Sequence, residues 1–268
     1  MRVISNFLLI FFFLLIAFSC NRYAATNRVY KKQAKAFSKE IRRVPKDQYY
    51  KKSTWAGTTN FGLRKPDFVI IHHTAGNSCP QTLGTFTNPA SQVSAHYVIC
   101  KDGTVHHMLN DYLRAWQAGV SSWGNNKDIN SCSIGIELDN NGYEPFPAAQ
   151  ISRLLTLLDT LKRKYHIPSA NFVGHSDIAP TRKKDPNVNF PWQLLAEYGY
   201  GLWYDDTTMI NVPENFNDVQ ALRIIGYSVK DTSAAIVAFK RHYEAQDSSA
   251  SFTEADKKIL YDLMDKYQ

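Results

Sequence analysis

His72, Glu137, His175 and Asp185 are the residues of this sequence whose types and placement point to chemistry. Two imidazoles and a carboxylate are a recurring three-ligand set for catalytic zinc, and they leave a fourth position for water. Zinc in such a set lowers the pKa of its water towards ~7 and polarises a carbonyl, and both effects serve amide hydrolysis. Glu137 would accept a proton from the water and pass it to the leaving nitrogen. Lys183 lies two positions before Asp185, so in an extended loop both point to the same side. An ammonium group there would stabilise the oxyanion of a tetrahedral intermediate.

A lone histidine at a strand end is more often a structural residue, so the elements around these groups carry the case. Phe68-Val69-Ile70-Ile71 has the composition of a buried strand and ends in His72-His73. Residues 94–100 read as a second strand, Asp102-Gly103 as a turn and residues 104–108 as the hairpin partner. Across residues 133–138, Ile134, Ile136 and Leu138 share one face, while Ser133, Gly135 and Glu137 share the other. From Pro147 to Tyr165 the period becomes helical, with Lys162, Arg163 and Lys164 in the last turn. A short strand over residues 171–174 ends in His175, which opens a polar, proline-punctuated loop running to Pro186. Loops of this kind hold functional groups on a rigid scaffold. After about residue 210, three short helical patterns follow, and Thr253 to Asp256 resembles a capping box before the last. The expected fold is α/β: a mixed central β-sheet flanked by helices, with a small C-terminal three-helix domain.

The 268 residues are 44% hydrophobic and 21% charged, enough for one sizeable core and a smaller module. Arg2 precedes an apolar run from Val3 to Phe18, closed by Ser19 and Cys20. This is a targeting segment; with Ala17-Phe18-Ser19-Cys20 at its end it resembles a lipoprotein signal, Cys20 being the lipidated residue. An uncleaved anchor is the alternative, since roughly 17 to 25 apolar residues span a bilayer. Residues 21–50 hold nine Lys or Arg against Glu40 and Asp47, and outside them and Arg2 the chain has 21 basic and 22 acidic residues. The formal charge of +7 therefore belongs to a tether and does not indicate nucleic acid as a partner. Beside a lipid anchor such a stretch would be held to anionic headgroups or stay solvated. Cys79, Cys100 and Cys132 remain, and one disulfide plus a thiol or three thiols fit equally.

The stretches around Ile71-His72-His73-Thr74-Ala75, Val93 to Ile99, Arg114 to Gly119, Ser133 to Leu138 and His175 to Pro186 resemble a known family. It is that of the zinc-dependent N-acetylmuramoyl-L-alanine amidases related to bacteriophage T7 lysozyme and the peptidoglycan recognition proteins. The resemblance runs from Phe68 to Trp203 and implies zinc at His72, His175 and Asp185, with Glu137 and Lys183 catalytic. Within the family the chain looks most like lipid-anchored envelope amidases that carry a small helical domain after Phe190-Pro191-Trp192. Three departures stand out: Gln117 where the family has histidine, Thr181 for a glycine, and Asn187-Val188 for Gly-Pro. None is expected to touch a ligand; the first would alter substrate contacts and the others loop shape.

The implied organisation is a signal over residues 1–20, a basic tether over 21–50, an amidase domain over 51–210 and a helical peptidoglycan-binding-like domain over 211–268. The implied partners are peptidoglycan or muropeptides and, through Cys20, the periplasmic side of the outer membrane; a monomer is expected. His73, His96, His106 and His107 are read as non-catalytic and His242 as part of a packing helix; Trp116 and Trp123 could stack on sugar rings, but a lone tryptophan more often belongs to the core. A non-catalytic muropeptide-binding protein of the same fold would typically lack a ligand, and all three positions are present here. A zinc peptidase would carry an H-E-x-x-H helix or similar signature, which the sequence lacks. An amidase on an uncleaved anchor facing the cytoplasm is separated from the lipoprotein by acylation of Cys20.

Overall fold

The computed structural model describes residues 23–43, 58, 60, 63, 65–246 and 249–268. The signal segment, Cys20 and the rest of the tether lie outside the described residues. Two compact units are distinguished, residues 1–62 and 63–268. In the first, helix α1 (Ala24–Ile41) occupies much of the basic stretch, and no residue of it is buried.

The second unit is built on a five-stranded sheet. Its strands are β1 (Phe68–His73), β2 (Tyr97–Ile99), β3 (Val105–His107), β4 (Ser133–Leu138) and β5 (Phe172–Gly174), in the order β3-β2-β4-β1-β5. β1 pairs in parallel with β4 and β5, and β2 pairs in parallel with β4, while β2 and β3 form the antiparallel hairpin expected around Asp102-Gly103. The turn needs glycine: Gly103 has φ +85°, and an added Cβ would lie 2.9 Å from the Ala149 carbonyl oxygen. The sheet is mixed and flanked by helices, as expected from the sequence.

Both faces of the sheet are covered, and period-two alternation sorts the side chains between them. Val69, Ile71, Ile134, Ile136 and Leu138 pack with Leu154, Leu158 and Leu161 of α3 (Ala148–Tyr165). Phe68, Ile70 and Val173 pack instead with a cluster holding Leu222, Phe239 and Leu260. Those three belong to α6 (Asp218–Ile225), α7 (Thr232–Tyr243) and α8 (Glu254–Tyr267). The C-terminal helices thus share a core with the sheet. α8 begins at a capping box in which Thr253 and Asp256 bond reciprocally, as its sequence suggests.

Three further helices complete the unit: α2 (Cys79–Thr87), α4 (His175–Ile178) and α5 (Trp192–Glu197). The segment after β5, expected to enter a loop directly, first makes the single turn of α4. A disulfide joins Cys79 at the start of α2 to Cys100 after β2, with Cα atoms 5.4 Å apart. That resolves the cysteine alternatives in favour of one bridge. The half-buried Cys132 thiol faces the Asp128 and Ile129 carbonyls.

Candidate active site

The site lies where parallel strands end. β1 and β4 are in register with His72 opposite Glu137, so the two side chains stand side by side on one face. His175 follows β5 as the first residue of α4, and the loop beyond returns Asp185, whose carbonyl accepts from the Ser176 amide at 2.8 Å. The carboxyl ends of parallel strands are the usual place for a ligand crevice in such sheets.

His72 Nδ1, His175 Nδ1 and one Asp185 oxygen converge, at 2.9 Å between the nitrogens and 3.0 Å from each to the oxygen. The hydrogen bonds behind them decide which nitrogens carry protons. Ser133 Oγ donates its one hydrogen to the Ile129 carbonyl at 2.6 Å, so it must accept from Gln117 Nε2 at 2.9 Å. The Gln117 carboxamide oxygen therefore faces His72 Nε2 and takes its hydrogen. Likewise His175 Nε2 donates to the Ala118 carbonyl at 3.2 Å. Both Nδ1 atoms then offer lone pairs, and with the Asp185 carboxylate they form three acceptors and no donor. Such a cluster fits a cation, and the imidazole and carboxylate donor set fits zinc.

Without a metal, a proton takes the cation's place. Burial lowers the His72 pKa, but the Glu137 charge and the hydrogen bond to Asp185 raise it further, for a net increase. His175 falls to about 4 through burial and the neighbouring His72 charge. The Asp185 carboxyl is held far below its usual range: burial pushes it up, but its contacts with His175 and His72 outweigh this.

Glu137 Oε1 lies 3.9 Å from His72 Nδ1, beside the candidate ligand cluster, with only 11% of its side chain exposed. Burial raises its carboxyl to about 7; the His72 charge opposes this, Asp185 adds to it and Lys183 opposes it. Lys183 is half-buried, and its charge lowers the pKa of both Glu137 and His175. The structure thus gathers His72, His175 and Asp185, with Glu137 alongside and Lys183 nearby.

Gln117 is a correction to the sequence reading. It touches the candidate ligand His72, and it can do so because Gly135 leaves room: a Cβ there would lie 2.5 Å from Gln117 Cγ. Asn187 does shape its loop, bonding Asn140 Oδ1 at 3.0 Å and offering its amide to His73 Nδ1 at 3.0 Å. His96 is held by Gly135 N and the Leu113 carbonyl, and His107 stacks on Tyr97, so both are structural. Trp123 is core, in contact with Tyr227, whereas Trp116 is exposed, against the core reading and free to meet a sugar ring.

A second set of residues lies behind α4, and its members from the C-terminal helices belong to no motif. Asp177, fully buried, accepts from the Gly174 amide at 2.6 Å and the Tyr227 hydroxyl at 2.8 Å, and bonds His242 Nδ1 at 2.7 Å. His242 stacks on Trp192 with ring centroids 3.9 Å apart. Expected only to pack, His242 instead reaches from α7 to the turn that carries His175. The one hint in the sequence is a histidine among the apolar positions of its helix.

A family model described as N-acetylmuramoyl-L-alanine amidase matches residues 62–188. The N-acetylmuramoyl-L-alanine amidase AmiD of Escherichia coli (strain K12) is 32% identical over 231 residues, covering 74% of this chain and 82% of that protein. Its structure in complex with anhydro-N-acetylmuramic acid-L-Ala-D-γ-Glu-L-Lys superposes with a TM-score of 0.66 at 29% identity, over 84% of this chain and 97% of that one. AMPDH3 from Pseudomonas aeruginosa gives 0.70 at 27% identity, over 84% and 99% respectively.

Proposed function

This chain belongs to the N-acetylmuramoyl-L-alanine amidase family, and on that premise we propose that His72, His175 and Asp185 hold a zinc ion for cleavage of its substrate. The bond cut is the amide between N-acetylmuramic acid, or its 1,6-anhydro form, and the L-alanine of the peptidoglycan stem peptide. The observation that carries the reading is the meeting of two imidazole lone pairs and a carboxylate, with Glu137 beside them. The muropeptide in the related amidase structure supports the substrate class.

Zinc, when bound, supplies an acidified water and a polarised scissile carbonyl. Glu137 takes the proton from the attacking water and delivers it to the leaving nitrogen; burial raises its carboxyl to about 7 before a cation lowers it, which favours proton transfer. Lys183 offsets the negative charge that develops on the carbonyl oxygen. Gln117 and the Ala118 carbonyl hold the two imidazoles in the ligating tautomer. The Arg182 guanidinium fixes that carbonyl, donating to it at 2.9 Å and to the Val120 carbonyl at 2.7 Å.

The proposed location is the periplasmic side of the outer membrane, with Cys20 acylated. The Cys79–Cys100 disulfide supports an oxidising compartment and counts against the cytoplasmic alternative. Residues 211–268 are proposed to bind the cell wall as well as to cover the sheet.

Mass spectrometry of products from purified sacculi and from anhydro-muropeptides, with and without a chelator, tests the function. The expected products are stem peptides with a free L-alanine amine and intact sugars, lost on chelation. Cleavage within the peptide, or none in the zinc-loaded enzyme, would overturn it.

A further inference from the structure

Helix α1 has an organisation that neither catalysis nor a plain spacer requires. At about 100° per residue, Arg28, Lys31, Lys32, Lys35 and Lys39 fall within an arc of about 100° on one side. Val29, Tyr30, Ala34, Phe37 and Ile41 fall within about 140° on the opposite side, an arc they share with Thr26, Gln33 and Glu40. Arg42 and Arg43 follow the helix end, and the one acidic residue of the helix, Glu40, is paired with Arg43 at 2.6 Å. On the apolar side Val29, Phe37 and Ile41 are 52%, 55% and 75% exposed.

Solvation alone explains a basic run but not its segregation from aromatic and aliphatic residues. With no residue of it buried, the 18-residue helix draws little stability from packing, so it gains from a surface that takes both faces. A bilayer surface does so: the apolar stripe enters the boundary between headgroups and acyl chains, while Lys and Arg lie among anionic headgroups. We propose that α1 is an interfacial helix that binds anionic phospholipid, laying the chain along the membrane next to its point of attachment. The reason for its being near a membrane rests on the envelope location proposed above; the lipid affinity itself does not.

The test uses the chain from residue 21 onward, which contains every described element and lacks both the apolar run and Cys20. Co-sedimentation is measured with phosphatidylcholine vesicles, alone and with phosphatidylglycerol. Binding is expected to the mixed vesicles, to weaken steeply with salt, and to be at least tenfold weaker on the neutral ones. Each Lys or Arg at an anionic surface is worth about fivefold, so Lys31→Gln/Lys35→Gln/Lys39→Gln should weaken binding about a hundredfold. Glutamine keeps good helix propensity, and circular dichroism checks that the helix remains. Phe37→Ser should weaken binding to vesicles of both kinds, with the rate on a soluble muropeptide unchanged. Equal binding to both vesicles, indifference to the lysine changes, or self-association through the stripe with no vesicle binding would each overturn the proposal. Acylation of Cys20, read separately by mass spectrometry, decides the lipid anchor whichever way the helix behaves.

Discussion

Replacing Tyr227 by Phe removes one hydroxyl far from the substrate, and it should weaken zinc binding. Asp177 is buried and takes three hydrogen bonds, two of them from Tyr227 and His242. It is the third residue of α4, whose first residue is the proposed ligand His175, and its other partner is the amide of Gly174 immediately before that residue. Burial and the Asp177 charge keep the Tyr227 hydroxyl protonated, so it remains a donor at all working pH values. A hydrogen bond to a charged group is worth roughly 1.5–3 kcal/mol, and the abandoned carboxylate oxygen is too buried to be rehydrated cheaply. If α4 shifts to recover a partner, up to ~3 kcal/mol is withdrawn from the proposed ligand geometry, a limit of about 150-fold in zinc Kd. If α4 stays in place the loss appears as stability, about 2–4 °C in Tm per kcal/mol for a unit of this size. We expect the loss to be divided, giving zinc affinity about tenfold weaker in competition with a chelator, and Tm of the apo form lower by a few degrees. Zinc affinity within twofold of the parent, beside a clear fall in Tm, would refute the bracing argument and leave the C-terminal helices as a plain cover.

Metal removal by a chelator should abolish cleavage, and one equivalent of zinc should restore it; full activity without bound metal would exclude the three-ligand site. Glu137→Gln should keep zinc and fold while lowering turnover roughly 10²-fold or more. The base works ionised, and burial raises its pKa to about 7 before a cation lowers it, so kcat/KM should fall on acidification through a value between the ordinary carboxyl range and 7. That acid limb should be absent from the Gln variant, and its persistence there would assign it to another group. Lys183→Ala should reduce turnover by roughly 10²-fold with zinc occupancy unchanged; a variant that loses its metal would contradict a role in oxyanion stabilisation. A chain ending at residue 210 loses Tyr227 and His242 and uncovers Phe68 and Ile70. Its Tm and its rate on a soluble muropeptide should both fall, with a larger loss on sacculi; equal proportional losses would remove the wall-binding role.

Local pattern determined much of this molecule. Alternation over residues 133–138 separates the Ile134 face from the Glu137 face, and helical spacing from Ile151 to Tyr165 places the apolar side of α3 on the sheet. These are short-range consequences of backbone period, so neighbouring residues suffice to read them. The five candidate residues were legible through motifs at strand ends and in the loop after β5. Helix α2 was not, because Pro80, Gly84 and three threonines in nine residues make a poor helical signal. Helix α1 was hidden by its charge count, its order emerging only when positions are taken by angle.

What tertiary structure alone decided is the protonation and bracing of the site. The two Nδ1 lone pairs face each other because Gln117 and the Ala118 carbonyl, 45 and 57 positions away from their imidazoles, take the opposite hydrogens. Asp177 meets Tyr227 and His242 across 50 and 65 positions. Residue types state which bonds each group can make, but a hydrogen bond exists only within about 3 Å and a narrow angle. Strand register and helix docking bring those partners within that range, and neither is encoded in any one stretch of the chain.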